Sequence, residues 1–129
     1  MLVQEIMTKK LEKIKSNEPV IEACRKYKYN KMGSLIVMED DTIVGIITER
    51  DVIEKIILNE KNPKTTLVKE VMTPKVKTVS ALSSIQDAVD IMHKNKIKKL
   101  PVIYNQHVVG IITENDITHA IDLISKMEK

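Results

Sequence analysis

The chain has 129 residues, 43% of them hydrophobic and 30% charged, which fits one compact globule with a continuous core. Its net charge of +3 is too small and too scattered to call for a nucleic-acid partner. No apolar run reaches membrane-span length and no signal-peptide pattern opens the chain, so a soluble, cytoplasmic, non-membrane protein is expected. The single Cys24 excludes an internal disulfide framework and suits a reducing compartment. With no Phe or Trp, the core must be built from Ile, Val, Leu and Met.

A short extended lead-in is expected near Lys13-Ile14, followed by a helix opened by Asn17-Glu18-Pro19. Asn17 is the expected cap, and Pro19 is tolerated in the first turn. Val20, Ala23, Cys24 and Tyr27 fall at helical spacing and give that helix one apolar stripe. Leu35-Ile36-Val37-Met38 reads as a strand, Glu39-Asp40-Asp41 as a turn, and Ile43 to Ile47 as the returning strand of a hairpin. A helix from Thr48 to about Leu58 should bury Val52, Ile53, Ile56 and Ile57. The polar stretch Asn59 to Lys64 then leads onward.

From there the chain repeats itself. Val44-Gly45-Ile46-Ile47-Thr48-Glu49-Arg50-Asp51 returns as Val109-Gly110-Ile111-Ile112-Thr113-Glu114-Asn115-Asp116, an offset of 65 residues that holds without a gap and leaves about a third of the paired positions identical. The repeat divides the chain into domains 1–64 and 65–129. Its second copy has a lead-in at Thr78-Val79, a helix through Ser84, Ile85, Ala88, Val89 and Met92, a hairpin of Leu100 to Ile103 with His107 to Ile112, and a last helix from Asn115 to about Lys126. One such unit is too small to bury both helices and both sheet faces, so an α+β pair with pseudo-twofold symmetry and two related clefts is expected.

The candidate chemistry sits where strand meets helix. Gly45 and Gly110 carry no side chain to block a ligand's approach. Thr48 and Thr113 set a hydroxyl beside the free N–H groups of a helix start, which favour an anion. Asp51 and Asp116 follow one turn in, where a carboxylate can accept both vicinal hydroxyls of a ribose, and Arg50 adds a permanent cation suited to phosphate. Thr-x-x-Asp is also a capping box, whose residues satisfy each other's backbone donors; the local pattern alone favours the cap, and the two roles are compatible.

Two tandem copies ending in Gly-Ile-Ile-Thr-Glu-Arg-Asp and Gly-Ile-Ile-Thr-Glu-Asn-Asp resemble a CBS domain pair, the Bateman module named for cystathionine beta-synthase. The resemblance runs from near Leu2 to near Met127. It takes in Ile6-Met7-Thr8, Val71-Met72-Thr73-Pro74, Val76-Lys77-Thr78-Val79 and Lys99-Leu100-Pro101-Val102. It implies βαββα units and clefts for an adenosine-containing regulatory ligand: AMP, ADP, ATP or S-adenosylmethionine. It further implies that Asp51 and Asp116 hold ribose, that Thr48 and Thr113 contact ribose or phosphate, and that Arg50 faces phosphate where Asn115 brings no charge. In the family each cleft combines one copy's motif with the other copy's strand and lead-in. Asp51 would then work with Thr78, Lys98, Leu100, Pro101 and Val102, and Asp116 with Lys13, Lys15, Met32, Gly33, Ser34 and Leu35. The two clefts should be unequal, with Arg50 and Lys98 favouring a polyphosphate at Asp51.

Other constellations are weaker. His93, His107 and His119 share no ligand spacing with one another or with Cys24, so no metal site is expected. Cys24 has no neighbouring base and reads as packing, and the methionines read as core filler. Lys94, Lys96, Lys98 and Lys99 form a basic run without interleaved aromatics, the pattern of a solvated face rather than a nucleic-acid surface. Val52, Ile53, Ile56 and Ile57, with Ile117, Ala120, Ile121 and Ile124, form two apolar stripes, and the resemblance implies a homodimer through them. No catalytic constellation is present. The chain reads as a non-catalytic sensor, working alone or regulating a separate enzyme or transporter, with a ligand-free dimerisation or interaction module as the alternative.

Overall fold

The computed structural model describes residues 1–31 and 33–127. In chain order the elements are α1 (Val3–Ile6), β1 (Lys13–Lys15), α2 (Val20–Asn30), β2 (Ser34–Glu39), β3 (Thr42–Thr48) and α3 (Glu49–Val52), which continues as a π-helical turn over Ile53–Ile57. There follow α4 (Val68–Val71), β4 (Thr73–Pro74), β5 (Val79–Ser80), α5 (Ile85–Asn95), β6 (Lys99–Tyr104), β7 (His107–Thr113) and α6 (Glu114–Met127). The βαββα core expected of each copy is present, and each is entered through a short helix (α1, α4) that apolar periodicity over four residues cannot announce.

The compact units are offset from the sequence repeat. One unit is Glu12–Val76, and the other joins Met1–Leu11 to the chain from Lys77 onward. Each body of strands and helices thus receives the entry segment that heads the other copy in sequence.

In the first unit the sheet order is β1-β2-β3-β4. β1 runs parallel to β2, and β2 is antiparallel to β3 with a bulge between Val37 and Met38. β4 lies antiparallel along β3, setting Thr73 opposite Ile46 and Pro74 opposite Gly45. The core gathers Ile14, Val20, Ala23, Tyr27, Leu35, Val37, Ile47, Val52 and Ile56, closed by Val68 and Val71 of the entry helix. Pro19, rather than Asn17, occupies the cap position of α2; its extended backbone ends the lead-in, and no side-chain cap is made there.

In the second unit the order is β5-β6-β7, with a bulge between Val102 and Ile103. Thr8 bridges to Ile111 as β4 does to β3. Val3 is fully buried among Val79, Ala88, Leu100, Val102, Ile112 and Ile117. Burying a valine stabilises a fold by about 1.5–3 kcal/mol, enough to pin a short entry helix. The turns repeat as well: Lys31 and Lys96 close α2 and α5 in the left-handed conformation, and Asp40 and Asn105 adopt it in the hairpin loops.

The methionines divide between roles. Met92 is buried, whereas Met1 and Met127 are exposed and so are not core filler. Ile53 and Ile57, expected inside, are 50% and 61% exposed. The π turn changes the phase of the helix so that Val52 and Ile56, four apart, face the core, while α6 keeps α-helical phase and buries Ile117 and Ala120, three apart.

Candidate functional site

Each Thr-x-x-Asp motif lies where a β-strand runs straight into a helix. In the first unit Thr48 caps α3: its Oγ1 accepts from the Asp51 amide at 3.1 Å, and Asp51 Oδ2 accepts from the Thr48 amide at 2.9 Å. Thr48 Oγ1 also lies 3.1 Å from Asp51 Oδ2. In the second unit the Asp116 amide donates to Thr113 Oγ1 at 3.1 Å, and the Thr113 amide donates to Asp116 Oδ2 at 2.9 Å. The capping box is therefore made at both positions. It fixes each carboxylate by backbone bonds, leaving Oδ1 to look elsewhere.

What meets Oδ1 differs between the copies. Lys55 Nζ stands 3.2 Å from Asp51 Oδ1 and also donates to the Val71 carbonyl at 2.8 Å. At Asp116 the partner is the Thr8 hydroxyl, 3.1 Å from Oδ1 and 3.4 Å from Oδ2. Asp51 is buried, only 8% exposed, and Asp116 is half-buried. Neither partner figured in the sequence reading. Lys55 carries a signal, being four residues after Asp51 on a helix; Thr8 carries none, because the contact is made by a distant segment.

The other candidate residues fall around these motifs. Arg50 is exposed and its Nε donates to Glu54 Oε1 at 2.9 Å; Asn115 is exposed. The Glu49 amide donates to the Gly33 carbonyl and the Glu114 amide to the Lys98 carbonyl, so each helix start is tied to the start of its own unit's hairpin. Ser34 sits opposite Thr48 in the sheet, and Lys99 opposite Thr113. Leu35, Leu100 and Val102 point into the cores and Pro101 is buried, so these offer a ligand backbone rather than side chain. Lys13, Lys15 and Thr78 are exposed along the lead-ins. Met32 lies outside the described residues.

The glycines do something other than leave room. A methyl group at Gly45 would stand 2.6 Å from Met72 Sδ and 2.8 Å from the Thr73 carbonyl; at Gly110 the corresponding distances to Met7 Sδ and the Thr8 carbonyl are 2.6 and 2.9 Å. The space beside each glycine is taken by the entry segment, and glycine is required for that close approach.

In the second unit a cavity of about 590 Å³ opens between α5 and α6, with Val89, Met92, Ile97 and Ile117 among its lining and His93, Lys96 and Lys98 at its edge. Burial pushes the Cys24 thiol above its ordinary range, which favours the protonated thiol. Among the described residues no three His, Cys, Asp or Glu side chains come together as a metal site would require.

The family model described as CBS domain matches residues 3–58 and again residues 68–123. The chain belongs to the CBS domain family. It is a tandem CBS pair, a Bateman module, and its mixed α+β units are those of the family. An uncharacterized 17.7 kDa protein of Acidianus ambivalens is 34% identical over 121 residues, covering 92% of this chain and 72% of that protein. Of a Methanopyrus kandleri relative, 33% identical over 102 residues and matched over 78% of this chain, the match spans only about half the length, 52%. Among solved structures, a protein with CBS domains from Burkholderia ambifaria superposes with a TM-score of 0.85 at 28% identity, over 94% of this chain and 93% of that one. A hexameric CBS-CP12 protein from bloom-forming cyanobacteria superposes with a TM-score of 0.82 at 30% identity, over 97% of this chain and 74% of that one.

Proposed function

We propose that this CBS pair is a cytoplasmic regulatory module that binds an adenosine-containing ligand (AMP, ADP, ATP or S-adenosylmethionine) through Thr48 and Asp51 and through Thr113 and Asp116, without transforming it. The observation that carries this reading is the pair of carboxylates, each held by the backbone of its own capping box at a strand-to-helix junction. A carboxylate so fixed meets a ribose diol with little side-chain entropy left to lose. The helix N-terminus beside it favours the phosphate end of a nucleotide. Regulation would follow by population shift, the ligand favouring the conformation that binds it more tightly.

Calorimetry with each of the four ligands tests the reading. Heat is expected with at least one, and Asp51→Ala or Asp116→Ala, folded by circular dichroism, should remove binding at its own motif. Absence of heat with all four, on protein stripped of co-purified ligand, sinks it. A second reading, a dimerisation module, is favoured by the apolar residues that α6 leaves exposed, among them Ile121, Leu123 and Ile124.

A further inference from the structure

We propose that Lys55 is a built-in competitor for the Asp51 carboxylate and that it sets the order in which the two motifs take a ribose, Asp116 first and Asp51 second. The proposal rests on the adenosyl-binding reading above. A vicinal diol binds a carboxylate by donating to its oxygens. At Asp51, Oδ2 already accepts from Thr48, and Oδ1 faces the Lys55 ammonium at 3.2 Å. A diol must share that oxygen with a cation or push the cation away. At Asp116 the corresponding partner is a neutral hydroxyl, that of Thr8, so a ligand hydroxyl replaces a like donor and no charges are separated. The Lys55 ammonium and the Asp51 carboxylate attract as two full charges, whereas at Asp116 only the carboxylate is charged, so the exchange is harder at Asp51.

The backbone is arranged around this lysine. The residue 65 positions later is Ala120, which is buried in the second unit. A lysine in the same helical phase would carry its ammonium into the core of the first unit, at large cost. The π turn over Ile53–Ile57 avoids this by inserting Ile56 into the core and leaving Lys55 half-buried, with its ammonium over Asp51. α6 has no such turn, and π turns of this kind recur at functional sites. The competition is finite, because a displaced ammonium keeps the Val71 carbonyl at 2.8 Å, a helix C-terminus suited to a cation. Asp51 is thereby weakened as a diol acceptor without being blocked.

Adenosine is the discriminating probe, since it has the diol but no phosphate for the ammonium to attract. Calorimetric titration of the wild-type chain should resolve a tighter and a weaker step, with Asp116→Ala removing the tighter and Asp51→Ala the weaker. In the Asp116→Ala background, Lys55→Met, which retains the apolar stem, and Lys55→Ala should each tighten the remaining step about five- to tenfold, the scale of a lost half-exposed charge-assisted contact. Unchanged or weakened binding in both lysine variants, or loss of the tighter step in Asp51→Ala, overturns the proposal while leaving adenosyl binding intact. Absence of heat from the wild-type chain with adenosine and with all four adenosyl ligands overturns both.

Discussion

Thr8 Oγ1 lies 3.1 Å from Asp116 Oδ1, although 108 residues separate the two in sequence. The contact exists because the entry segment ahead of the first copy docks on β7, where the Thr8 amide and carbonyl both pair with Ile111. Thr73 stands at the equivalent place beside β3, but among the described residues no side-chain hydrogen bond joins it to Asp51, whose Oδ1 faces Lys55 instead. Thr8→Val should therefore cost about 1 kcal/mol, the ordinary net value of a hydrogen bond. Thr73→Val should cost less than half of that. Urea denaturation of the two variants side by side checks the difference, and equal effects would contradict it.

Gly110→Ala and Gly45→Ala should each destabilise the chain by about 1–3 kcal/mol, the range for an overpacked site. The methionine sulfur beside each glycine is the end of a flexible side chain and can move. The Thr8 and Thr73 carbonyls behind it are backbone and cannot. Met7→Ala in the Gly110→Ala background should accordingly restore only part of the loss. Hydrogen exchange gives an independent readout: the Thr8 amide, bonded to the Ile111 carbonyl at 2.8 Å, should lose protection in Gly110→Ala.

Much of this was readable in the residues themselves. The hairpins follow from apolar runs broken by polar turns, and Thr-x-x-Asp is legible as a cap because capping is a local matter of spacing. What could not be read is what depends on distant segments. The capping box says nothing of Thr8, and Gly45 looks open in sequence because the segment that fills its space lies 27 residues further on, at Met72. The exchange of entry segments is equally hidden, since Val3 and Val68 occupy identical places in the repeat and only the folded chain shows which body each one enters. The π turn is not legible in sequence because both last helices open on the same Thr-Glu-x-Asp start and carry apolar residues at helical spacing, while they differ at several positions, Lys55 against Ala120 and Ile57 against Asp122 among them.

Tyr27 predicts a pH dependence. Its hydroxyl donates to the Ile47 carbonyl at 2.9 Å within the first core. Burial first, then the nearby Cys24, Asp51 and Glu49, push its pKa well above the usual tyrosine value. The unfolded chain would release that proton near pH 10, while the folded chain still holds it. A folded pKa above the unfolded one gives stability that is complete below about pH 10 and falls as the pH rises further. Stability measured across pH 9 to 11 should decline, and Tyr27→Phe should remove this residue's share of the decline while costing about 1 kcal/mol at neutral pH.

The exposed side of α6 predicts self-association. Ile117 and Ala120 are buried, and one turn further on Ile121 and Ile124 continue the stripe at 60% and 37% exposure, with Leu123 beside them. Contiguous apolar residues of this kind are uncommon on a monomer surface and mark contact sites. If α6 meets a second copy, a charge at either isoleucine must be desolvated without a partner, which the interface cannot tolerate. Ile121→Glu and Ile124→Glu should therefore shift the chain to a monomer in sedimentation velocity with its melting temperature little changed at low concentration, because neither side chain belongs to the second core. A wild-type chain that sediments as a monomer at every concentration would leave these residues without that role.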